Sequence, residues 1–242
     1  MSYEAFASVY DVLMQDVDYK KRTEYLLEIF DRYDRKPTLL LDLACGTGSF
    51  AKEMLERGID VIGVDASEEM LNIARENLPE CLLLNQRAEE LDLYGTVDGA
   101  ICLMDSLNHI TDYGDFCKAI ERTALFLEKD RLFVFDVNTE YKHKNILGDN
   151  CFVIENDGVF CTWQNETDEN FLTNIMLDFF VEGESGEYQR FSEDFSERAY
   201  TKPQIETALN KAGLEIVAVL DDMSFKEQKE TSERLYYVTR KI

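Results

Sequence analysis

Basic residues are few in this chain. It carries 25 Lys and Arg against 49 Asp and Glu, so its formal net charge is −24 and its isoelectric point is near 4.4. A charge of this sign repels the phosphate backbone of nucleic acids, and no cluster of Lys or Arg offsets it locally. We therefore expect that nucleic acid is not a partner of this protein.

Histidine is also scarce, with only His109 and His143 in the chain. A multi-histidine metal site cannot be built from two residues, so no metal is expected. His143 is predicted to lie at the surface, and His109 is interpreted as a hydrogen-bonded structural residue.

Long apolar runs and secretion signals are missing as well. No run approaches the roughly 20 residues of a bilayer span. The first residues, Met-Ser-Tyr-Glu-Ala-Phe, lack the basic and apolar regions of a signal peptide. The six cysteines form no C-x-x-C pair, which is typical of reduced thiols. These features predict a cytoplasmic protein without a membrane partner, and they leave both monomer and homodimer open.

What the chain does have is a regular alternation of strand and helix patterns. Its 242 residues, 45% of them hydrophobic, suffice for one α/β domain with an insertion. Helical periodicity extends over residues 3–34. The patterns that follow predict strands at 38–41, 59–64, 81–84, 97–103 and 132–137, and helices at 49–57, 67–79 and 113–127. Strands separated by helices in this way indicate a parallel sheet with right-handed crossovers.

The pattern changes after Asn138. Aromatic-rich segments are separated by turn residues without intervening helices, which predicts an antiparallel meander. Its strands are predicted at 151–154, 159–163, 171–181 and 188–195, and a helix at 203–211 and strands at 214–220 and 235–242 complete the chain.

The predicted fold class is therefore α/β. We expect a Rossmann-like, doubly wound, mostly parallel seven-stranded sheet with an antiparallel β insertion between its fifth and sixth strands. The expected domains are an N-terminal helical cap (1–36), a cofactor-binding domain (37–138 and 201–242) and the insertion (139–200), which would act as a substrate lid.

The candidate site begins at the end of the first strand, in Leu-Asp-Leu-Ala-Cys-Gly-Thr-Gly at 41–48. Gly46 and Gly48 allow a tight turn and a close backbone approach to a ligand, at a helix start whose N–H groups are unpaired. Asp65 ends the next strand, where a carboxylate accepts hydrogen bonds from both hydroxyls of an adenosine ribose. Together with Asp42, these residues predict an adenosine-containing cofactor.

Other functions remain open at this point. Because Ala51 follows the glycines, the turn also satisfies G-x-G-x-x-A, a fingerprint of dinucleotide-binding proteins that makes an NAD-dependent oxidoreductase an alternative. Asp42 in the turn and the late position of the motif, behind a long helical segment, argue against it. A non-catalytic adenosine-ligand-binding protein is a third alternative, because a fold does not prove chemistry.

Over essentially its whole length the chain resembles the class I S-adenosylmethionine-dependent methyltransferases. Residues 41–48 resemble their first motif, 61–67 (Val-Ile-Gly-Val-Asp-Ala-Ser) the strand end that binds the ribose, and 97–108 the segment that borders the methyl-transfer site. Residues 3–11 are similar to a helix that closes over the cofactor in bacterial small-molecule members. The insertion followed by Glu-Arg-Ala-Tyr at 197–200 is similar to a branch related to glycine/sarcosine N-methyltransferases. The resemblance implies S-adenosyl-L-methionine as cofactor and a small molecule as methyl acceptor.

For the methionine end of the cofactor, the resemblance implies contacts from both backbone and side chains. The backbone of Ala44, Gly46 and Gly48 would lie against the methionine part, and Asp42 would lie near its ammonium group. The side chains expected beside or over this end are Leu103, Tyr10 and Tyr19.

For the adenosine end, the resemblance implies that Asp65 holds the ribose and that Ala66 and Met70 flank the adenine. Relatives often carry an Asp that accepts from the adenine amino group, where this chain has Gln86-Arg87-Ala88. Because Arg has donors only, that contact is expected from Gln86, from Glu89 or from the backbone, or it is absent.

The residues that serve the methyl acceptor follow from the chemistry. The sulfonium already activates its methyl group, so the enzyme mainly holds a nucleophile in line with the S–CH₃ bond and receives its proton. The candidates for this role are Tyr10, Asp105, Asn108, His109 and Tyr200. Relatives commonly have a His where this chain has Phe195, which predicts a different substrate if that His shapes their pocket.

The charge of the insertion supports a hypothesis about the acceptor. From Asp149 through Glu197 there are thirteen acidic residues and one basic residue, a net charge of 1 − 13 = −12. If this segment covers the active site, its field favours an amine acceptor over an anionic one. The alternative is a solvated acidic surface that serves solubility.

Overall fold

The computed structural model describes residues 4–33, 35–183 and 185–242, with side chains from residue 9 onward. The strands are β1 (Leu39–Leu43), β2 (Asp60–Asp65), β3 (Leu82–Asn85), β4 (Gly99–Cys102), β5 (Leu132–Asn138), β6 (Cys151–Asn156), β7 (Val159–Thr167), β8 (Leu172–Glu182), β9 (Tyr188–Arg198), β10 (Leu214–Asp221) and β11 (Arg234–Lys241). The helices are α1 (Glu4–Leu13), α2 (Tyr19–Arg32), α3 (Ser49–Leu55), α4 (Glu68–Asn77), α5 (Tyr113–Phe126), α6 (Glu140–Lys142) and α7 (Lys202–Lys211). A π-helical turn, His143–Leu147, continues α6.

Seven strands form the central sheet, in the order β10-β11-β5-β4-β1-β2-β3. The pairs among β1 to β5 are parallel, whereas β11 runs antiparallel between β5 and β10. All seven residues of β5 are buried, as expected for a strand that helices cover on both faces. Apolar residues of α5 and α7 pack on one face of the sheet, and those of α2 and α3 pack on the other. The predicted doubly wound, mostly parallel sheet is confirmed.

The N-terminal segment differs from its prediction as one helix over 3–34. It forms two helices, and residues 14–18 make the turn between them. Asp18 ends the turn, since its carboxylate accepts a 2.9 Å hydrogen bond from the backbone N–H of Lys21 and caps α2. Apolar spacing alone does not detect such a break, because α1 and α2 each bury an apolar face. Tyr3 and Asp34, which the predicted helix included, lie outside the described residues.

The insertion forms a separate antiparallel sheet in the order β6-β7-β8-β9. It lies between β5 and β10, the fifth and sixth strands of the central sheet along the chain, as predicted. Its inner face carries a small apolar core against which Val9 of α1 packs, together with Val159, Cys161, Ile175, Leu177 and Phe179. Helix α1 thus contributes to the apolar core of the insertion.

Helix α1 also contacts the central sheet, at the loop after β1. The carboxylate of Asp11 accepts a 2.8 Å hydrogen bond from the hydroxyl of Thr47, in the loop after β1. On its other side, the Asn156 amide donates to the carbonyl of Val12 at 3.1 Å. The helix therefore connects the insertion to the loop that carries the predicted site. In the part of the chain that the structure describes, no helix is both long and apolar enough to cross a membrane.

Candidate active site

The loop between β1 and α3 has an unusual backbone. Ala44, Gly46 and Gly48 have φ values of 59°, 54° and 86°, in the left-handed region that favours glycine. Gly48 is the N-cap of α3, and a Cβ there would lie 2.6 Å from Leu78 Cδ1. A Cβ on Gly46 would have no heavy atom within 4 Å. The Gly48 position is filled by protein, whereas Gly46 faces open space in which a ligand fits.

Asp65 organises this loop from the end of β2. One carboxylate oxygen accepts the backbone N–H of Gly46 and the other accepts that of Ser67, each at 2.8 Å. Burial raises the pKa of this carboxyl, and the N–H donors of Ser67 and Gly46 counteract the rise. Asp65 thus has a structural role in the loop, in addition to the ribose contact predicted for it. Each oxygen keeps a further lone pair for another donor.

Asp42 lies beneath the same loop with an unmatched oxygen. The residue is 2% exposed, and its Oδ2 has no hydrogen-bond partner among the described residues. Burial, and secondarily the charge of Asp65, raise its pKa from 3.8 to about 7, although the Ala51 N–H counteracts this. Buried carboxylates are normally paired, so Asp42 is arranged for a cationic or proton-donating group that the protein itself does not supply.

Asp42 lines a cavity that is partly open to solvent. Six of the predicted site residues line it: Tyr10, Tyr19, Asp42, Ala44, Gly46 and Leu103. The lining residues that sequence reasoning missed are Cys45, Thr47, Ser49, Phe50, Met104 and Ser106. The two tyrosine hydroxyls hydrogen-bond to each other, and the Tyr19 ring packs edge-on against Phe50 at 5.1 Å. Both predicted cover residues therefore lie over the cavity.

A buried ion triad holds the turn after β4 at the edge of the cavity. Met104 and Asp105 both have positive φ, 57° and 54°, and their backbone N–H groups donate to the Asp136 carboxylate at 3.1 and 2.6 Å. Arg234 bridges Asp105 and Asp136 at 2.8 and 3.0 Å. Burial by itself would raise the pKa of Asp105, but Arg234, with Lys142 and His109, holds it well below its ordinary value. Asp105 is thus a permanent carboxylate that orients its surroundings.

Two of the predicted acceptor-side residues have structural contacts instead. The Asn108 amide donates to the carbonyls of Asn138 and Arg198, and its oxygen accepts the Asn138 N–H. These bonds join β5 to the end of β9 and use the whole carboxamide. The Tyr200 hydroxyl donates to the Ile110 carbonyl, and its ring packs 4.0 Å from Phe116 in the core. Both side chains thus make structural contacts, and the catalytic roles of Asn108 and Tyr200 stay predictions.

The residues expected around the adenine are also partly engaged elsewhere. Both ends of the Gln86 carboxamide bind the backbone of Asp92, at 2.8 and 3.1 Å. Arg87 pairs with one carboxylate oxygen of Glu89. Ala88 begins a short 3₁₀ turn, Ala88–Glu90, and supplies backbone only. Ala66 is exposed, and Met70 is buried in the first turn of α4. Neither residue is among those that line the cavity.

Sequence reasoning missed a second polar cluster, where the central sheet meets the insertion. The Asn138 amide donates to Asp105 at 2.5 Å and lies 3.4 Å from the Glu197 carboxylate. His143, predicted at the surface, is fully buried, because the π-helical turn after α6 turns its ring under the insertion. His109 is instead half-exposed, with its Nε2 3.6 Å from Glu197 and its ring 5.1 Å from that of Phe195.

The comparisons with known proteins agree on one class. The family model of a methyltransferase domain matches residues 40–129. The chain is 30% identical to "Putative methyltransferase YqeM" of Bacillus subtilis (strain 168), over 100% of this chain and 98% of that protein. It is 26% identical, over 87% and 84%, to dTDP-3-amino-3,6-dideoxy-alpha-D-glucopyranose N,N-dimethyltransferase of Streptomyces fradiae. Among solved structures, an S-adenosylmethionine-dependent methyltransferase from Clostridium acetobutylicum ATCC 824 has a TM-score of 0.89 and 33% identity, over 99% and 98% of the two chains.

The fold and the glycine loop are those of an α/β protein that binds an adenosine-containing cofactor. The chain belongs to the class I S-adenosylmethionine-dependent methyltransferases. Its cofactor is S-adenosylmethionine, and the oxidoreductase alternative finds no support.

The residues around the cavity fit this cofactor. The orphaned Oδ2 of Asp42 suits the ammonium group of its methionine part. The open face of Gly46 leaves room for ligand against the backbone, and Asp65 retains acceptor capacity for sugar hydroxyls. The three features meet at the loop between β1 and α3, which Asp65 contacts from the end of β2.

Substitutions of the two glycines test this division of roles. Gly48→Ala should lower the free energy of unfolding by ~1–3 kcal/mol, because it combines a left-handed alanine with a contact against Leu78. Gly46→Ala should cost only the ~1–2 kcal/mol of backbone strain, but should weaken cofactor binding more than Gly48→Ala does. Denaturant unfolding and calorimetry with S-adenosylhomocysteine measure both effects. Equal loss of affinity in the two variants would contradict a contact between the cofactor and the Gly46 backbone.

Proposed function

We propose that this methyltransferase acts on a small-molecule amine, held between the carboxyl edge of the central sheet and the inner face of the insertion. The observation that carries the proposal is the buried acidic character of this boundary. Glu197, near the end of β9, is 5% exposed, and burial raises the pKa of its carboxyl. The Asn138 amide lies between this carboxylate and that of Asp105. Buried carboxylates favour a cationic occupant, and an anionic acceptor would be repelled.

The charge of the whole insertion supports the same choice, since Asp149 through Glu197 carries −12. The relatives' names agree with it. The Streptomyces fradiae relative is named as an N,N-dimethyltransferase of an amino sugar, and a relative in Halorhodospira halochloris, 30% identical over 55% of this chain, is named glycine/sarcosine N-methyltransferase.

In the proposed reaction the protein supplies position and proton acceptors. S-adenosylmethionine supplies a methyl group already activated by its sulfonium. Asp65 holds the ribose hydroxyls, Asp42 the ammonium, and the turn at Leu103–Asp105 fixes the wall beside the methionine part. Tyr10 and Tyr19 cover this end and exclude water. With the cofactor fixed, in-line placement of the acceptor lone pair supplies up to ~7–11 kcal/mol of barrier reduction.

A panel of paired acceptors tests the acceptor class. Each pair holds a primary amine and its matching alcohol, for example glucosamine with glucose and ethanolamine with ethylene glycol, and methyl transfer is followed from labelled S-adenosylmethionine. Transfer to amines without transfer to the alcohols is expected. Methylation of phenols or carboxylic acids, without methylation of any amine, would contradict the proposal.

We also propose that the enzyme works in the cytoplasm on free metabolites and not on nucleic acid. All six cysteines lie in described parts of the chain and are free thiols, which suits a reducing compartment. Its net charge of −24 disfavours a nucleic-acid acceptor.

A further inference from the structure

A chain of hydroxyl hydrogen bonds fixes the proton on the buried His143 ring. The Thr167 hydroxyl lies 3.1 Å from the Gly148 carbonyl and must donate to it. The contact of 2.8 Å between Thr173 and Thr167 then requires the Thr173 hydroxyl to be the donor. Thr173 therefore has only acceptor capacity left for His143 Nδ1, 2.8 Å away. Nδ1 must carry the ring proton.

The other ring nitrogen of His143 is consequently a bare acceptor. Burial lowers the pKa of this histidine to about 4, so the ring is neutral at physiological pH. Its Nε2 is buried, has no hydrogen-bond partner in the part of the chain that the structure describes, and lies 3.9 Å from Glu197 Oε2. Two acceptors that face each other at this distance make no hydrogen bond. The arrangement lacks a proton donor.

One ammonium group would supply donors to both. A nitrogen that donates two hydrogen bonds of ~2.9 Å holds its acceptors roughly 4–5 Å apart, close to the 3.9 Å separation. The site adjoins the cofactor cavity through Asn138, whose amide approaches both Glu197 and Asp105. Asp105 follows Leu103 and Met104, which line the cavity.

We propose that Glu197 is the catalytic base of the methyl transfer and that His143 is the second acceptor that positions the substrate amine against it. This inference rests on the proposed amine acceptor. The substrate ammonium loses one proton to the Glu197 carboxylate and becomes a neutral amine. Its lone pair forms the new C–N bond to the methyl carbon while the C–S bond breaks and its electron pair returns to sulfur. His109, half-exposed and 3.6 Å from Glu197, passes the proton on to water.

The charges around Glu197 suit a base. The titratable groups facing it are Asp105, His109, Lys142 and His143. Burial and then Asp105 raise the pKa of Glu197, whereas His109 and Lys142 counteract the rise. Asp105 is kept ionised by Arg234, so the two carboxylates near Asn138 differ in proton affinity, a pattern typical of acid–base sites.

Ring-nitrogen NMR tests the geometry without any knowledge of the substrate. The chain has two histidines, so ¹⁵N-histidine labelling of the protein with S-adenosylhomocysteine gives two ring patterns, which a His109→Gln variant assigns. His143 is expected to stay neutral with its proton on Nδ1 from pH 5 to 9. A proton on Nε2 would overturn the inference.

Kinetics with the accepted amines tests the role of Glu197. Glu197→Gln should lower kcat at pH 7 by at least ~100-fold, with an unchanged cofactor dissociation constant. The loss should shrink at pH 9.5, where more of the substrate arrives neutral. Glu193→Gln is the matched control, a buried Glu on the same strand and face, and should stay within about threefold of wild type.

The outcomes separate this inference from the proposed function. If wild type binds S-adenosylhomocysteine but methylates no amine, the acceptor class is wrong. If it methylates amines and Glu197→Gln does so equally well, or loses activity equally at all pH values, Glu197 is not the base. His143→Gln, which keeps an acceptor near the Nε2 position, should retain more activity than His143→Asn, and the reverse order would contradict the positioning role.

Discussion

Replacing Asp65 with alanine is expected to raise the dissociation constant for S-adenosylmethionine by roughly 30- to 1,000-fold, the equivalent of ~2–4 kcal/mol. Two losses contribute. The ribose hydroxyls lose a charged acceptor, and the N–H groups of Gly46 and Ser67, each 2.8 Å from the carboxylate, lose theirs. Calorimetric titration measures the change. Asp60→Ala, at the exposed start of the same strand, is the control and should bind normally.

A ligand lacking one ribose hydroxyl separates the two losses. Wild type should bind 2′-deoxy or 3′-deoxy S-adenosylhomocysteine more weakly than the parent, whereas Asp65→Ala should bind the parent and the deoxy compounds almost alike. This is a double-mutant cycle in which one change is made in the ligand. Additive losses would show that Asp65 acts on the loop alone and that the ribose assignment is wrong.

The main features of the fold are local and could be read from the sequence. The alternation of strands and helices predicted β1 to β5 within about two residues at each end, because strands covered on both faces show continuous apolar runs. The helix predicted from residue 67 does begin there, since the Ser67 hydroxyl caps α4 by accepting the Met70 N–H at 3.1 Å. The break at residues 14–18 was missed because it depends on α1 packing against the insertion, a contact between distant parts of the chain.

The residues of the site likewise divide into those that a local sequence pattern predicts and those that depend on contacts between distant parts of the chain. Four residues of the site lie within 24 residues of the sequence (42–65) and can be recognised by their positions at strand ends: Asp42, Gly46, Gly48 and Asp65. Arg234 reaches Asp105 and Asp136 across 129 and 98 residues, and no local pattern marks such a pairing. Glu197 could have been predicted from the sequence, because β9 extends to Arg198. Alternation continued two residues past the predicted end would have placed it on the inner face with Glu193.

Replacing Asp42 with asparagine is expected to stabilise the protein without cofactor. The native pKa of Asp42 is about 7 against 3.8 for the exposed group, so the folded protein binds more protons than the unfolded chain between these values. Below pH 4 the carboxyl is protonated in both states and does not lower the free energy of unfolding. As the pH rises to about 7, its ionisation lowers the free energy of unfolding progressively, by ~4 kcal/mol at most. The stability gain of Asp42→Asn over wild type should therefore increase from pH 4 to pH 7 and level off above it. Urea unfolding across this range measures it, and Asp60→Asn should show no such trend.

The same substitution should weaken S-adenosylmethionine binding by roughly 10- to 150-fold at pH 7.5, because an amide replaces the carboxylate that pairs with the ammonium (~1.5–3 kcal/mol). The ammonium favours the ionised form, so cofactor binding lowers the pKa of Asp42 and releases a proton near neutral pH. Affinity of the wild type should then fall as the pH drops below about 7, and calorimetry in two buffers of different ionisation enthalpy should detect the proton. The variant should lose both the pH dependence below 7 and the proton release. A stabilised variant that still released the proton would mean that another group faces the ammonium. The loss of affinity together with the gain in stability would show that Asp42 is kept buried and charged for its ligand, at the expense of the fold.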